Sequence, residues 1–379
     1  MLGRALAVCL VALAGLVFVG VHWGDSYQWK PDSLFYETQL LRVQGTPKDE
    51  ALRRVFGGPL AAYRVQQELA QPAAERRLAD PQWVDYSYRF YARRWVVPAL
   101  GAAAEPWLGV NALRAVSLAG YCLAGLLVYA LLALRFSRWT SAVVALGTLA
   151  LQPLRYWSLL PLTDSFGVAV EAGAMACALL ALRGGRWRLA LLAGAMLALA
   201  FTRDSTLVVV AGLAWVAASS MGRRTALPLA AAIAAALPAP LLFGAPARQL
   251  LAYTLNDFRP PADPSWGFIF SRYVPAAKSL VRGDVEYLGA HPYVAVFALG
   301  GLLALFVLRA TPGDPAVPFM RASVLGAAGL IALAPNYTSM RLELPFVPIA
   351  AFGVALVLER LTPVAQSLLD GARGRPETG

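Results

Sequence analysis

Six side chains next to long apolar runs have the chemistry for moving a proton and holding a phosphate. They are Asp32, Asp164, Arg203, Arg341 and the neighbours Arg93 and Arg94. Asp32 stands in Trp29-Lys30-Pro31-Asp32-Ser33-Leu34-Phe35-Tyr36, a carboxylate among aromatics at the head of a helix-like stretch. A carboxylate held beside a bilayer in that way suits a general base. Asp is also a favoured helix N-cap, and capping Ser33–Leu41 accounts for the same residue. Asp25 lies just upstream and competes for the base role. Asp164 sits in Thr163-Asp164-Ser165, directly before an apolar run. It reads as a cap favoured by the helix dipole, or as a second acid that orients an acceptor or helps hold a divalent cation. Two carboxylates alone do not specify a metal, so any metal ligands stay unknown.

The arginines carry two readings each. Arg203 follows Phe201-Thr202, and its planar guanidinium suits phosphate clamping or a local pair with Asp204. Arg341 pairs with nearby Glu343 or joins the clamp. Arg93 and Arg94 face lipid headgroups or a bound substrate. Glu171 is the one acidic residue deep in an apolar run, as a buried hydrogen-bonded group or part of a cavity.

The elements that must position these groups are mostly membrane helices. Of 379 residues, 58% are hydrophobic and 15% charged, against roughly 25% charged in soluble domains. The mean hydropathy is +0.56. This points to an all-α polytopic membrane protein. About ten spans are expected, near 5–21, 108–134, 140–159, 165–182, 188–201, 205–219, 225–243, 292–308, 322–335 and 343–358. The fifth and ninth are the shortest and weakest. The first lacks an Ala-x-Ala cleavage pattern and reads as an uncleaved span. The apolar interval Val96–Ala104, bounded by prolines, reads as a surface or half-inserted helix.

Charge sets the orientation. With the N-terminus inside, the short inner loops carry Arg135, Arg138, Arg183, Arg186, Arg188, Arg223, Arg224, Arg309 and Arg321. The short outer loops carry only Arg155, Arg203 and Arg341. The positive-inside rule therefore expects both termini in the cytoplasm. Two long loops, about 23–107 and 244–291, then form an outer cap. The first has helix-like stretches at Asp32–Val43, Lys48–Arg54 and Ala61–Leu69, and the Tyr/Trp/Arg-rich Trp83–Trp95 suits a helix at headgroup level. The polar tail 371–379 is expected to be disordered.

Other chemistries lack their residues. The net charge of +11 sits in inter-span loops, and no nucleic-acid-binding motif accompanies it. Cys9, Cys122 and Cys177 lie in apolar runs as packing residues, and His22 and His291 are isolated. There is no P-loop, GxSxG, HExxH or helix-opening GxGxxG. Gly300-Gly301 reads as small-residue packing between helices.

Several segments together resemble the GT-C superfamily of polyprenyl-phosphate-sugar-dependent glycosyltransferases. Pro31-Asp32-Ser33-Leu34-Phe35-Tyr36 resembles its first-loop acidic motif, and Leu162-Thr163-Asp164-Ser165-Phe166 its acidic turn before the fourth span. Phe201-Thr202-Arg203 resembles its outer-turn arginine, and Arg341-Leu342-Glu343-Leu344-Pro345 the element opening its final span. Arg93-Arg94-Trp95-Val96-Val97-Pro98 resembles the stretch ahead of its second span. The resemblance implies one membrane domain over 1–370 in the plasma (inner) membrane. It implies inverting transfer of a sugar from a polyprenyl phosphate to a lipid, glycan or protein acceptor on the outer face. Asp32 would be the base, Asp164 would position the acceptor or a cation, and Arg203 and Arg341 would meet the leaving phosphate. The competing class is a lipid or solute transporter. That class favours inverted repeats and broken midplane helices, and no internal repeat is visible in the sequence.

Overall fold

A backbone in a bilayer must satisfy its own polar groups, which for an apolar run means helix. The computed structural model describes residues 2–25, 29–57, 78–220, 222–244, 246–311, 313–333, 335, 338 and 340–373, and its regular structure there is entirely helical. The protein is a polytopic helical membrane protein. Its first helix, α1 (Leu2–His22), turns Ala7, Val11 and Phe18 inward and leaves Leu13, Leu16 and Val21 exposed on its outer side.

The first long loop folds into α2 (Pro31–Val43), α3 (Lys48–Gly57), α4 (Pro81–Tyr91) and α5 (Val96–Leu108). Proline suits the first turn of α2 and α4, where its missing N–H costs nothing. The expected helix Ala61–Leu69 falls outside the described residues. At Gly109 the backbone takes φ +54, and the chain doubles back so that Gly101 meets Leu113 of α6 (Ala112–Ala133). The interval Val96–Ala104 thus belongs to a separate helix packed between α2 and α6.

Six stretches are long and apolar enough to cross a membrane: Gly3–His22, Val96–Ala133 (folded back at Gly109, with the 22-residue α6 as its long arm), Asp164–Leu182, Thr225–Phe243, Ala316–Leu333 and Leu344–Thr362. A seventh candidate is the bent pair of α15 (Trp266–Ala290) with α16 (Pro292–Val307). The remaining expected spans are short. Helix α7 (Arg138–Leu149) has 12 residues, and α10 (Arg186–Ala200) and α11 (Thr206–Ser220) have 15 each, against about 20 for a full crossing. The expected span 140–159 is broken, because Pro153 opens a new helix, α8 (Gln152–Ser158). Between them run α9 (Asp164–Leu182), then α12 (Arg223–Ala236), α13 (Pro238–Phe243) and α14 (Ala247–Leu255). The expected ninth span is longer than 322–335, since α17 starts at Ala316 and ends at Leu333. The last helix, α18 (Val347–Arg373), runs past Gly371 into the tail expected to be disordered.

Small residues let the helices close in. The Gly120 Cα of α6 abuts the Phe166 backbone of α9 so tightly that a Cβ would sit 2.6 Å from its nitrogen. Gly301 of α16 meets Ala350 and Gly353 of α18, as small-residue packing expects, whereas Gly300 has nothing within 4 Å.

The two long loops pack on each other. Trp83 Nε1 donates to the Phe258 carbonyl at 2.7 Å, Ser87 bonds the Tyr253 hydroxyl at 2.6 Å, and the Phe90 and Tyr253 rings stack. The Trp83–Trp95 stretch expected at headgroup level thus packs on protein. Trp83, Val84, Tyr88 and Phe90 are buried, and the apolar face of α4 is spent on Phe35 and Tyr253 rather than on lipid.

Candidate functional site

Pro31 starts α2, so Asp32 lies in its first turn. The cap position belongs to Lys30, whose backbone N–H donates to Ser33 Oγ at 3.2 Å. The N-cap reading of Asp32 is thereby replaced, and its carboxylate is free to face other elements. Oδ1 accepts from the Tyr91 hydroxyl at 2.6 Å, and Oδ2 accepts from Arg341 Nη1 at 2.6 Å.

Asp164 likewise sits inside its helix, with Thr163 at the cap. Its Oδ1 accepts from Arg341 Nε at 2.9 Å and pairs with Arg203 Nη1 at 3.0 Å. Arg203 Nη2 donates to the Arg341 carbonyl at 2.7 Å. One guanidinium therefore bridges two carboxylates, and a second ties the inner carboxylate to the chain carrying the first. The four residues come from α2, α9, the α10–α11 turn and the segment before α18. Their side chains are graded in exposure: 20% for Asp32, 17% for Arg341, 12% for Arg203 and 2% for Asp164. Asp32 and Arg341 are the most exposed members of the cluster, and Asp164 is the most buried.

Room for this packing comes from glycine. A Cβ on Gly167, one turn along α9 from Asp164, would lie 2.8 Å from Arg203 Cδ. The Arg341 guanidinium also sits 5.1 Å from the Trp157 ring centroid, within cation–π range. Burial opposes charge on Arg341, but the Asp164 and Asp32 carboxylates more than offset it, holding its pKa well above the ordinary arginine value. For the Tyr91 phenol burial itself is the larger cause, and with the Asp32 carboxylate it raises the pKa, so the hydroxyl stays a donor.

Arg93 and Arg94 face neither lipid headgroups nor open solvent. Both pair with Asp204. Arg94 also donates to the Tyr36 hydroxyl at 2.6 Å, and that hydroxyl bonds Thr163 Oγ1 at 3.1 Å. Burial, then the charge of Arg94, lowers Arg93 to about 10, which leaves it protonated at neutral pH. This second layer braces α2, α9 and the α10–α11 turn behind the first. It also reassigns partners: Asp204 serves Arg93 and Arg94, and Arg203 turns to Asp164.

Three other residues stand apart from the bridge. Asp25 bonds His22 at 2.6 Å at the end of α1 and is 53% exposed. Glu343 does not pair with Arg341. It turns to the Asp284 carboxyl, and burial followed by that neighbour pushes its own carboxyl up to about 8. Glu171 is buried deeper along α9, beside Ser205 and Arg203.

The donor set does not suit a cation. Among the described residues no three His, Cys, Asp or Glu side chains gather as ligands, and Asp32 and Asp164 already neutralise arginines. Sequence reasoning missed Tyr91, Tyr36, Thr163, Trp157 and Gly167. Of these, Gly167 left a trace, since it lies three residues from Asp164 on the same helix face. No protein-family model matches this chain and no curated protein matches it, so the functional reading stands on the residues themselves.

Proposed function

We propose that the protein is an integral-membrane glycosyltransferase that moves a sugar from a polyprenyl-phosphate donor to an acceptor hydroxyl on the outer face of the plasma membrane. The observation that supports it is the bridge from Asp32 through Arg341 to Asp164 and Arg203. Residues from four distant segments meet at one place, where the Asp32 carboxylate and the Arg341 guanidinium keep about a fifth of their surface exposed.

The chemistry follows from that pairing. The acceptor O–H gives its proton to Asp32 as its oxygen attacks the anomeric carbon. The bond from that carbon to the phosphate oxygen breaks, and the polyprenyl phosphate leaves with the electron pair. Attack opposite the leaving group inverts the anomeric centre. Arg341 and Arg203 meet the negative charge as it develops. Asp164 holds the two guanidiniums in register, and apolar helices keep water from the activated sugar. No step requires a cation. The reading favours ten crossings, with α7–α8, α10 and α11 as the short ones and both termini in the cytoplasm.

The test is sugar transfer from a labelled polyprenyl-phosphate sugar by the purified protein. Wild type should transfer, and Asp32→Asn should be slower by about 10²–10⁴-fold, the usual contribution of a general base. Equal transfer by both would remove Asp32 from the role.

A further inference from the structure

Helix α15 runs for 25 residues and is poorly covered by protein: only Ile269, Leu280 and Gly283 are buried. Trp266, Phe270, Val274, Val281 and Val285 are each more than half exposed. At about 100° per residue they share one stripe of the helix. Lys278 and Arg282 border that stripe one turn apart, and the exposed Ser279 and Glu286 lie beyond them. A groove of about 610 Å³ runs along this border, lined by Val274, Lys278, Val281, Arg282 and Val285 among others.

Two observations give the stripe a direction. α15 is bent by 113° from α16, so it lies across the bundle when α16 runs through the membrane. Tyr273 moreover donates to the Ala332 carbonyl at 2.8 Å, and Tyr287 bonds Gln152, which pins α15 over the ends of α17 and α8. A helix carrying Arg272, Lys278, Arg282, Asp284 and Glu286 is also poorly suited to cross, since a charge at the bilayer centre costs about 2.5–3.5 kcal/mol or more.

We propose that α15 lies in the plane of the membrane surface as a phospholipid-binding helix. Its apolar stripe enters the boundary between headgroups and acyl chains, and Lys278 and Arg282 hold the phosphate of an anionic phospholipid. Glu286 takes Arg282 Nε at 2.8 Å, so the terminal nitrogens of the guanidinium remain for the ligand. Trp266 anchors the helix start at the interface, where indole is favoured. The membrane surface is a better occupant than water for five large apolar side chains, and the basic border matches its phosphates.

The test uses the full chain with Cys9, Cys122 and Cys177 replaced by alanine, and a nitroxide at Val281→Cys or Ser279→Cys. The protein is placed in phosphatidylcholine vesicles with and without phosphatidylglycerol. The Val281 label is expected to collide more with oxygen than with a water-soluble nickel chelate, and the Ser279 label the reverse. Phosphatidylglycerol should slow the Val281 label, and Lys278→Gln with Arg282→Gln should abolish that response. Three results overturn the proposal. One is equal chelate access at both positions. Another is shielding of Val281 from both quenchers, which means a second copy covers the stripe. The third is indifference to phosphatidylglycerol, which removes the headgroup contact. None of these readouts depends on sugar transfer.

Discussion

Arg341 holds both oxygen-bearing partners of the site at once, and that sets how a phosphate would act on it. An incoming phosphate competes with Asp32 for Arg341 Nη1, and the carboxylate it displaces is the one proposed to take the proton. Asp32 and Asp164 should therefore fail differently when mutated. Asp32 is 20% exposed, so Asp32→Asn should cost activity and little stability. Asp164 is the buried partner of two guanidiniums. Breaking such a pair typically costs about 3–5 kcal/mol, so Asp164→Asn should lower the melting temperature of the purified protein as well as transfer. Matching melts for the two variants would contradict this grading. Glu343 gives a pH signature. Its folded pKa of about 8 lies above the ordinary glutamate value of about 4.3. Between those values the folded state binds more protons than the unfolded one, so stability falls as pH rises. Glu343→Gln should match wild type near pH 5 and melt higher near pH 8.5. Parallel melting curves across that range would rule out the raised carboxyl. The acids and arginines of the site were legible as residues because charges are rare in this chain. Their partners were not, since Asp204 serving Arg93 and Arg94 depends on how three segments meet.

The helices that carry those residues are positioned by close approach, which sequence pattern reports poorly. α2 was legible almost to its ends, because Pro31 and the following apolar and aromatic residues mark it. α7–α8 was not, because the break comes at a single proline, Pro153, within a stretch long enough for one span. The contact that matters most for the site is between α6 and α9, where Gly120 faces the Phe166 backbone two residues from Asp164. Gly120→Ala would place a methyl group 2.6 Å from a main-chain nitrogen that cannot rotate away. Overpacking of this kind costs typically about 1–3 kcal/mol. The variant should melt lower and transfer more slowly, because α9 must shift and carries Asp164 with it. Gly20→Ala meets open space on α1 and is the control that should leave both unchanged.

The proposed reaction also demands that the whole molecule face one way. The bridge, the α14–α15 loop and the α4–α14 joint lie together, whereas Arg135 bonds Asp314 and Glu359 near the opposite ends of α6, α17 and α18. The proposed outer-face reaction needs that second end to be cytoplasmic, which is what the charge asymmetry of the short loops, legible in sequence, leads one to expect. The number of crossings was less legible, because α7, α10 and α11 are each shorter than a bilayer core and need their neighbours to complete the passage. Orientation can be tested without counting spans. In the background lacking Cys9, Cys122 and Cys177, Asp263→Cys places a thiol in the exposed loop before α15, and Arg186→Cys places one at the start of α10. A membrane-impermeant maleimide added to intact cells should label position 263 and leave 186 unlabelled until the membrane is opened. The reverse pattern would put Asp32 and Arg341 on the cytoplasmic face. The acceptor would then have to be cytoplasmic, and outer-face transfer would be excluded even with the charged bridge intact.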